Sequence, residues 1–297
     1  MTRPAAWLVM VAALQAPAFH TSTRLVVLHA TVRNGRGEIV TGLSRDAFAV
    51  FENGQRQTIA IFRADDVPVS LGLVIDNSGS MRSKRQKVEA AALAFARASN
   101  PQDETFVVNF ADTPRIDVPF TSDPVRLEAG IARLDSIGGT AMRDALAGAE
   151  RYLDQHGTRD RRALVIVTDG IDNASDTPLD EIRAYAQQRD IVIYAIGLLG
   201  ETTAHGARHA LDDLTRSTGG VACYPGTLDE IGDVALDLAR QIRTQYTLAY
   251  TPSNPALDGS FRKITVVAKG EGRLDVRTRT GYRATPDTIA RPAGSGG

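Results

Sequence analysis

The sequence predicts an α/β protein built around a doubly wound, mostly parallel sheet, with a β module beside it. Four short segments, 71–76, 105–110, 163–168 and 191–196, are nearly continuous in Val, Ile, Leu and Phe, as strands covered on both faces are. Helical patterns separate these segments, and the alternation indicates βαβ units. Further β patterns at both ends of the chain indicate strands outside that sheet.

The first residues have the pattern of a secretory signal peptide. Arg3 precedes an apolar run over 5–14, and small residues at Ala16 and Ala18 suit a signal peptidase. We expect residues 1–18 to be removed near Ala18; a buried N-terminal helix is the alternative. No cysteine follows that region until Cys223, so no lipid attachment is expected. These features predict a periplasmic or secreted protein without a transmembrane segment.

Residues 22–66 predict an N-terminal β segment. Asn53-Gly54 stands between two strand-like runs and is a strong signal for a two-residue hairpin. The β pattern returns over 244–284, where three strand candidates are separated by loops rich in Pro, Asn, Asp and Gly. Each segment is too short for a core of its own, so we expect the two to pair into one module. Residues 285–297 are expected to be a disordered tail.

The central region, 67–243, is predicted to form the α/β domain. Helical patterns cover 84–98, 124–134, 141–156, 178–189, 207–217 and 228–243. Residues 115–120 alternate and contain Pro119, which favours an edge strand.

Charge and motifs exclude several functional classes. The chain has 34 basic and 35 acidic residues and a net charge of -1, so nothing indicates a nucleic-acid partner. It also has no G-x-x-x-x-G-K-[ST] phosphate loop and no G-x-S-x-G setting for a nucleophilic serine.

A polar, oxygen-rich loop follows the first buried strand. Asp76, Ser78 and Ser80 occupy alternate positions after 71–75, so their side chains can converge on one point. One carboxylate and two hydroxyls suit a hard divalent cation such as Mg2+.

Two further loops supply oxygens at the same edge of the predicted sheet. Thr140 follows Gly138-Gly139 before a helix, and Asp169 ends another strand. In an open α/β sheet, ligands bind beyond the carboxyl ends of the strands, where the strand order reverses. Each loop alone is common at helix starts, but their conjunction with the first loop predicts a shared metal site.

The order Asp-x-Ser-x-Ser, then Thr, then Asp resembles the von Willebrand factor type A (VWA) family, which has a Rossmann-like fold. The five residues of its metal-ion-dependent adhesion site (MIDAS) match without substitution, at Asp76, Ser78, Ser80, Thr140 and Asp169. The resemblance implies that Ser78 and Ser80 coordinate the ion directly, and that the other three bind it directly or through water. It covers about 67–243.

The segments before and after this core resemble a bacterial subgroup of exported VWA-related proteins.

The family resemblance also implies that the last helix, 228–243, can shift when a ligand carboxylate arrives.

These observations predict an exported, non-enzymatic binding protein that uses Mg2+, or else Mn2+ or Ca2+, to capture an Asp or Glu carboxylate of a protein partner. One alternative is a cell-envelope scaffold whose metal organises loops. The other is a metal-dependent hydrolase, which needs a general base. The nearest acids, Asp172 and Asp176, are expected to be loop and capping residues.

A basic cluster, Arg82, Lys84, Arg85 and Lys87, follows the first metal loop. We expect these residues to form a solvated face of the first helix. If they lie on the rim of the site instead, they would steer an acidic partner toward it.

Overall fold

The computed structural model describes residues 25–98, 100–131, 138–170, 172–200 and 204–286. The predicted signal peptide and residues 287–297 of the predicted tail lie outside these ranges.

The described elements follow one another as a β segment, an α/β region and a second β segment. The strands are β1 Val26–Asn34, β2 Phe48–Glu52, β3 Gln55–Gln57, β4 Ile59–Arg63, β5 Val69–Asp76, β6 Glu104–Phe110, β7 Pro114–Thr121, β8 Arg161–Thr168, β9 Ile191–Gly197, β10 Ala222–Cys223, β11 Tyr246–Tyr250, β12 Phe261–Ala268, β13 Leu274–Arg277 and β14 Gly281–Arg283. The helices are α1 Arg85–Arg97, α2 Pro124–Ile131, α3 Met142–His156, α4 Leu179–Gln188, α5 Ala204–Thr218 and α6 Ile231–Arg243.

The central sheet has the order β10-β9-β8-β5-β6-β7. Its pairs are parallel except for β6 with β7, which is antiparallel. This confirms the predicted mostly parallel sheet, and it confirms the Pro119-containing segment as an edge strand.

Helices cover both faces of this sheet, which confirms the doubly wound arrangement. Successive side chains of a strand point to opposite faces, so Leu73 and Ile75 of β5 join one core while Val74 joins the other. Helices α1, α2 and α6 pack in the first core, and α3, α4 and α5 in the second. Every residue of β5 is buried, as expected for a strand that lies between β8 and β6 in the interior of the sheet.

The N- and C-terminal strands pair with each other, as the sequence predicts. One sheet has the order β13-β1-β11-β4 and the other β14-β12-β2-β3, and a single apolar core contains residues of both. At the β2–β3 turn, Asn53 has φ 49° and Gly54 has φ 82°, the left-handed conformations that a two-residue hairpin requires.

The helices differ from the sequence prediction mainly at their ends. Residues 228–230 of the predicted last helix form a 3-10 turn, and α6 begins at Ile231. The last three residues predicted for the second helix, 132–134, lie outside the described ranges. Among the described residues, no helix has both the length and the apolar composition needed to cross a membrane.

Two buried arginines join the α/β domain to the β module. Arg161, at the start of β8, donates to the carbonyl oxygens of Ile242, Arg243 and Gln245 at 3.0 to 3.1 Å. Arg279, which follows β13, has three acceptors: Asp190 Oδ1 at 2.5 Å, and Gln187 O and Val27 O at 2.8 Å.

Candidate metal centre

The candidate residues lie where the strand order reverses. From β5 the chain passes to β6 on one side, and it later returns to β8 on the other side of β5. Asp76 is the last residue of β5, Asp169 directly follows β8, and Thr140 stands two residues before α3. The carboxyl ends of β5 and β8 thus bring the three loops together in the crevice where such sheets bind ligands.

Asp76 is buried and fixed at the floor of the site. It is 1% exposed, and Oδ2 accepts a hydrogen bond from Thr168 Oγ1 at 2.6 Å. Oδ1 accepts from the backbone N–H of Ser78 at 2.9 Å. Burial raises the pKa of Asp76; the hydrogen bonds from Thr168 and Ser78 oppose the shift, and the nearby Asp169 charge adds to it. A bound cation would favour the ionised form of this carboxyl.

The hydroxyl groups of Ser78 and Ser80 form a row of hydrogen bonds that leads from the floor of the site to solvent. The hydroxyl oxygens of Ser78 and Ser80 are 3.1 Å apart, and Ser80 Oγ donates to Asp169 Oδ1 at 2.8 Å. Ser78 is 2% exposed, whereas Ser80 is exposed. The cluster is therefore accessible to solvent at Ser80.

Thr140 is held beside the Asp169 loop by backbone contacts. Its N–H donates to Asn173 Oδ1 at 2.9 Å, and its carbonyl accepts from Asn173 N at 3.1 Å. Before it, Gly138 has φ 98° and Gly139 N donates to Asp112 Oδ1 at 2.6 Å. A Cβ built on Gly170 would lie 3.6 Å from Thr140 Oγ1, so the Thr140 hydroxyl borders the residue after Asp169.

The loops of the site are also bonded directly to one another. Asn77 N donates to Phe110 O at 2.6 Å, and Ala141 N donates to Ala111 O at 2.7 Å. Gly79 N donates to Gly138 O at 3.3 Å. Protein hydrogen bonds therefore position these loops.

All five candidates lie together at one sheet edge, but sequence reasoning missed residues that position them. Thr168, Asn173 and Asp112 orient Asp76, Thr140 and the glycine loop. In the sequence Thr168 is next to Asp169 and Asn173 is four residues after it, but polar residues are common in loops. Asp112 is not close in sequence to any candidate, so no local pattern points to it.

Lys84 belongs to the basic cluster that follows the first metal loop, and for this residue the expected solvated face is wrong. Its ammonium contacts Asp169 Oδ2, and its side chain is 23% exposed against 1% for that of Asp169. Lys87 remains half exposed and pairs with Asp229 at 2.5 Å.

The donor set fits a hard divalent cation. Two carboxylates and three hydroxyls present only oxygen, the ligand that Mg2+, Mn2+ and Ca2+ prefer. Over the described ranges there is no group of three or more His, Cys, Asp and Glu able to hold a metal, so any ion here relies on hydroxyl ligands as well. The Lys84 ammonium on Asp169 shows that the site accommodates a positive charge.

The nearby acid Asp172 acts as a capping residue. Its Oδ2 accepts from Arg143 N and from Ser175 Oγ, both at 2.7 Å. Burial acts to raise the pKa of Asp172, but the hydrogen bonds from Arg143 and Ser175 outweigh it and hold the pKa below its usual value. Such a carboxylate is a weak base.

Comparisons with known proteins agree with the fold of the α/β region. Residues 71–171 match the family model described as the von Willebrand factor type A domain. A von Willebrand factor type A protein from Catenulispora acidiphila superposes with a TM-score of 0.53 at 15% identity, covering 93% of this chain and 78% of that one. No curated protein sequence matches the chain.

Two further solved structures share the fold over part of the chain. The proximal thread matrix protein 1 of the mussel byssus, with a zinc-occupied MIDAS motif, has a TM-score of 0.53 at 17% identity over 65% of this chain and 50% of that one. The vWF domain of the type V pili tip protein Mfa5 from Porphyromonas gingivalis has a TM-score of 0.51 at 14% identity, over 60% of this chain and 96% of that one. At such identities the likeness concerns the fold.

Proposed function

We propose that this protein, whose core is a von Willebrand factor type A domain, is an exported interaction protein that captures a partner's carboxylate on a bound Mg2+. The ligands are Asp76, Ser78, Ser80, Thr140 and Asp169. The observation that carries the proposal is the convergence of these five oxygen-bearing side chains at the switch point of the sheet, with Ser80 open to solvent.

The charge of the site favours binding of an external carboxylate. Only Asp76 and Asp169 carry formal charge among the five, so a bound divalent ion retains electron-accepting character and an open position. Asp76 is directed by Thr168 and Ser78, and Asp169 by Ser80. The buried Asp76 and Ser78 would thus hold the ion at the floor of the site, and the exposed Ser80 would hold it where a partner can approach.

The hydrogen bonds between loops argue against a metal that mainly organises them. Gly79 N to Gly138 O and Asn173 N to Thr140 O already join the three loops through protein atoms. A scaffold role for the ion is therefore the weaker alternative.

The acids near the site argue against hydrolysis. Asp172 is engaged with Arg143 and Ser175 and has a lowered pKa, and Asp112 accepts from Gly139 N. Neither is poised to activate water, so we propose a binding protein rather than an enzyme.

Export is part of the proposal. The signal-peptide pattern of residues 1–18 supports a periplasmic or secreted location. The fold likeness to the vWF domain of a pilus tip protein agrees with a role outside the cytoplasm.

Calorimetric titration with Mg2+ and Mn2+ tests the metal site. Ser80→Ala removes an exposed ligand hydroxyl with little effect on the core, and we expect it to weaken binding by about tenfold or more. Ser83→Ala removes an exposed hydroxyl from the same 3-10 turn and is the matched control. Equal affinities in both variants and the parent protein would refute the assignment.

Capture from the native envelope fraction tests the use of the site. We expect a partner that is retained with Mg2+, lost in chelator and lost with Ser80→Ala. Capture that survives chelation would favour the scaffold, and metal-dependent turnover of an ester or phosphate library would favour a hydrolase.

A further inference from the structure

Lys84 engages Asp169, one of the two candidate carboxylates of the site. Its ammonium contacts Asp169 Oδ2, while Ser80 Oγ donates to Asp169 Oδ1 at 2.8 Å. Both oxygens of Asp169 therefore already have donors, one of them a full positive charge.

The backbone of Lys84 is held firmly. Lys84 N donates to Met81 O at 2.9 Å, and its carbonyl accepts from Val88 N at 3.1 Å, at the junction of the 3-10 turn and α1. Met81 is 2% exposed and anchors the turn in the core. The ammonium is thus delivered by a rigid element, and the burial of Asp169 limits solvent screening of the pair.

We propose that Lys84 is a tethered competitor for the metal: its ammonium occupies Asp169, and a divalent ion gains that carboxylate by displacing it. This inference rests on the proposed function. Two cations at one buried carboxylate repel each other, so metal binding includes the free energy of breaking the Lys84–Asp169 pair. The competition sets the metal concentration at which the site fills, and it leaves the Lys84 amine free on the rim once the ion is bound.

Replacing Lys84 with Met keeps most of the side-chain volume and removes the charge. We expect Lys84→Met to bind Mg2+ about tenfold more tightly by calorimetry, because the ion no longer displaces a partner of Asp169.

Lys87→Met is the matched control. It removes the same charge one turn further along, from a lysine that pairs with Asp229. The long-range effect of one lost positive charge is then present in both variants, and we expect Lys87→Met to change the affinity by less than about threefold. Equal effects in the two variants, or weaker binding by Lys84→Met, would overturn the proposal.

Chemical labelling of the unaltered protein gives a second readout. Reductive methylation followed by mass spectrometry measures the reactivity of each amine, and we expect saturating Mg2+ to increase the methylation rate of Lys84 but not that of Lys87. An unchanged Lys84 rate in protein shown to be Mg2+-saturated means that the ammonium stays on Asp169, and displacement is refuted.

The two proposals fail in different ways. If the parent protein binds Mg2+ and both lysine variants bind it equally well, the competitor role is wrong and the metal site stands. If no Mg2+ binds to the parent protein or to either variant, the metal site itself is wrong, and the competitor role falls with it.

Discussion

Thr140 is positioned in the candidate metal centre by the side chain of Asn173. The Asn173 carboxamide accepts from Thr140 N, and Asn173 N returns a hydrogen bond to the Thr140 carbonyl. A ligand is only as well placed as the groups that hold it, and loss of such a partner commonly weakens metal binding by about 10- to 100-fold.

We therefore expect Asn173→Ala to weaken Mg2+ binding by about tenfold, although Asn173 is not among the proposed ligands. Asn173→Asp retains an oxygen acceptor at the same place and should restore most of the affinity. Calorimetric titration of the two variants measures both effects. Equal affinity of Asn173→Ala and the parent protein would show that Thr140 does not depend on this contact.

Glu150 is a buried acid that is not among the candidate metal ligands. It lies on α3, is 1% exposed, and its Oε1 has no hydrogen-bond partner among the described residues. Burial raises the pKa of Glu150 from 4.5 to about 9, while Arg151 opposes the shift and Glu181 adds to it. The folded protein therefore holds a proton there that the unfolded chain releases at lower pH.

Glu150 makes the free energy of unfolding depend on pH. Between about pH 5 and pH 9 the folded state binds more protons at Glu150 than the unfolded state, so this residue lowers the free energy of unfolding as pH rises. Glu150→Gln should flatten that slope and stabilise the protein by about 2 kcal/mol near pH 8. Urea unfolding across this range measures it, with the exposed Glu271→Gln as control; identical slopes in Glu150→Gln and the parent protein would contradict the expectation.

At the scale of elements, α6 is held at both ends by residues of other elements. Lys87 of α1 pairs with Asp229 in the 3-10 turn before the helix. Arg161 of β8 donates to the carbonyls of Ile242 and Arg243 in its last turn. The sequence predicts the helix from its apolar period, but these anchors join residues about 80 or more positions apart and leave no local pattern.

Arg161→Met should remove the C-terminal anchor of α6. The carbonyls of Ile242, Arg243 and Gln245 would lose a charged donor in a buried place, and we expect a loss of about 3 kcal/mol in the free energy of unfolding. Amide exchange of the last turn of α6 should accelerate. Arg162→Met, at the neighbouring position, is the control; if it has the same effect, the loss is not specific to the anchor.

Elements with a strong local signal were predictable from the sequence. The buried strands of the central sheet follow from their apolar runs, and the β2–β3 hairpin follows from Asn53-Gly54, a pair that suits φ 49° and 82°. The start of α6 was placed three residues early because Leu228–Glu230 continue the helical pattern while forming a 3-10 turn. Helix ends depend on tertiary contacts, which a local pattern does not contain.

For the whole molecule, Arg279 connects the β module to the α/β domain. It donates to Asp190 and Gln187 near the end of α4 and to Val27 of β1, and it is 6% exposed. A buried guanidinium with three acceptors on two units makes their separation costly.

We expect calorimetric unfolding of the intact protein to show a single transition, since each unit leaves buried polar groups unpaired without the other. Arg279→Met should lower the free energy of unfolding by about 3 kcal/mol, whereas Lys263→Met, on the exposed face of β12, should have little effect. Two well-separated transitions in the parent protein would show independent units and would support the boundaries 67–243 and 244–284 as those of separable domains.

The sequence predicts loops that carry the five candidate residues to one sheet edge, because strand ends and loop glycines fix the order in which a doubly wound sheet brings its loops together. It did not indicate that Lys84 turns inward to Asp169. A lysine at a helix start has the same local pattern whether it faces solvent or a carboxylate on a distant loop, so charge pairing of this kind appears only in three dimensions.

The interleaving of the terminal strands has a consequence for the order of folding. Thr247 of β11 meets His29 of β1 although the two are 218 residues apart, and β2 pairs with β12 in the same way. During synthesis, β1 and β2 emerge long before their partners, while β5 to β9 and their helices form contacts of shorter range. The α/β domain is thus expected to fold first, with the loops of the candidate site in place, and the β module to close last, when the final strands arrive.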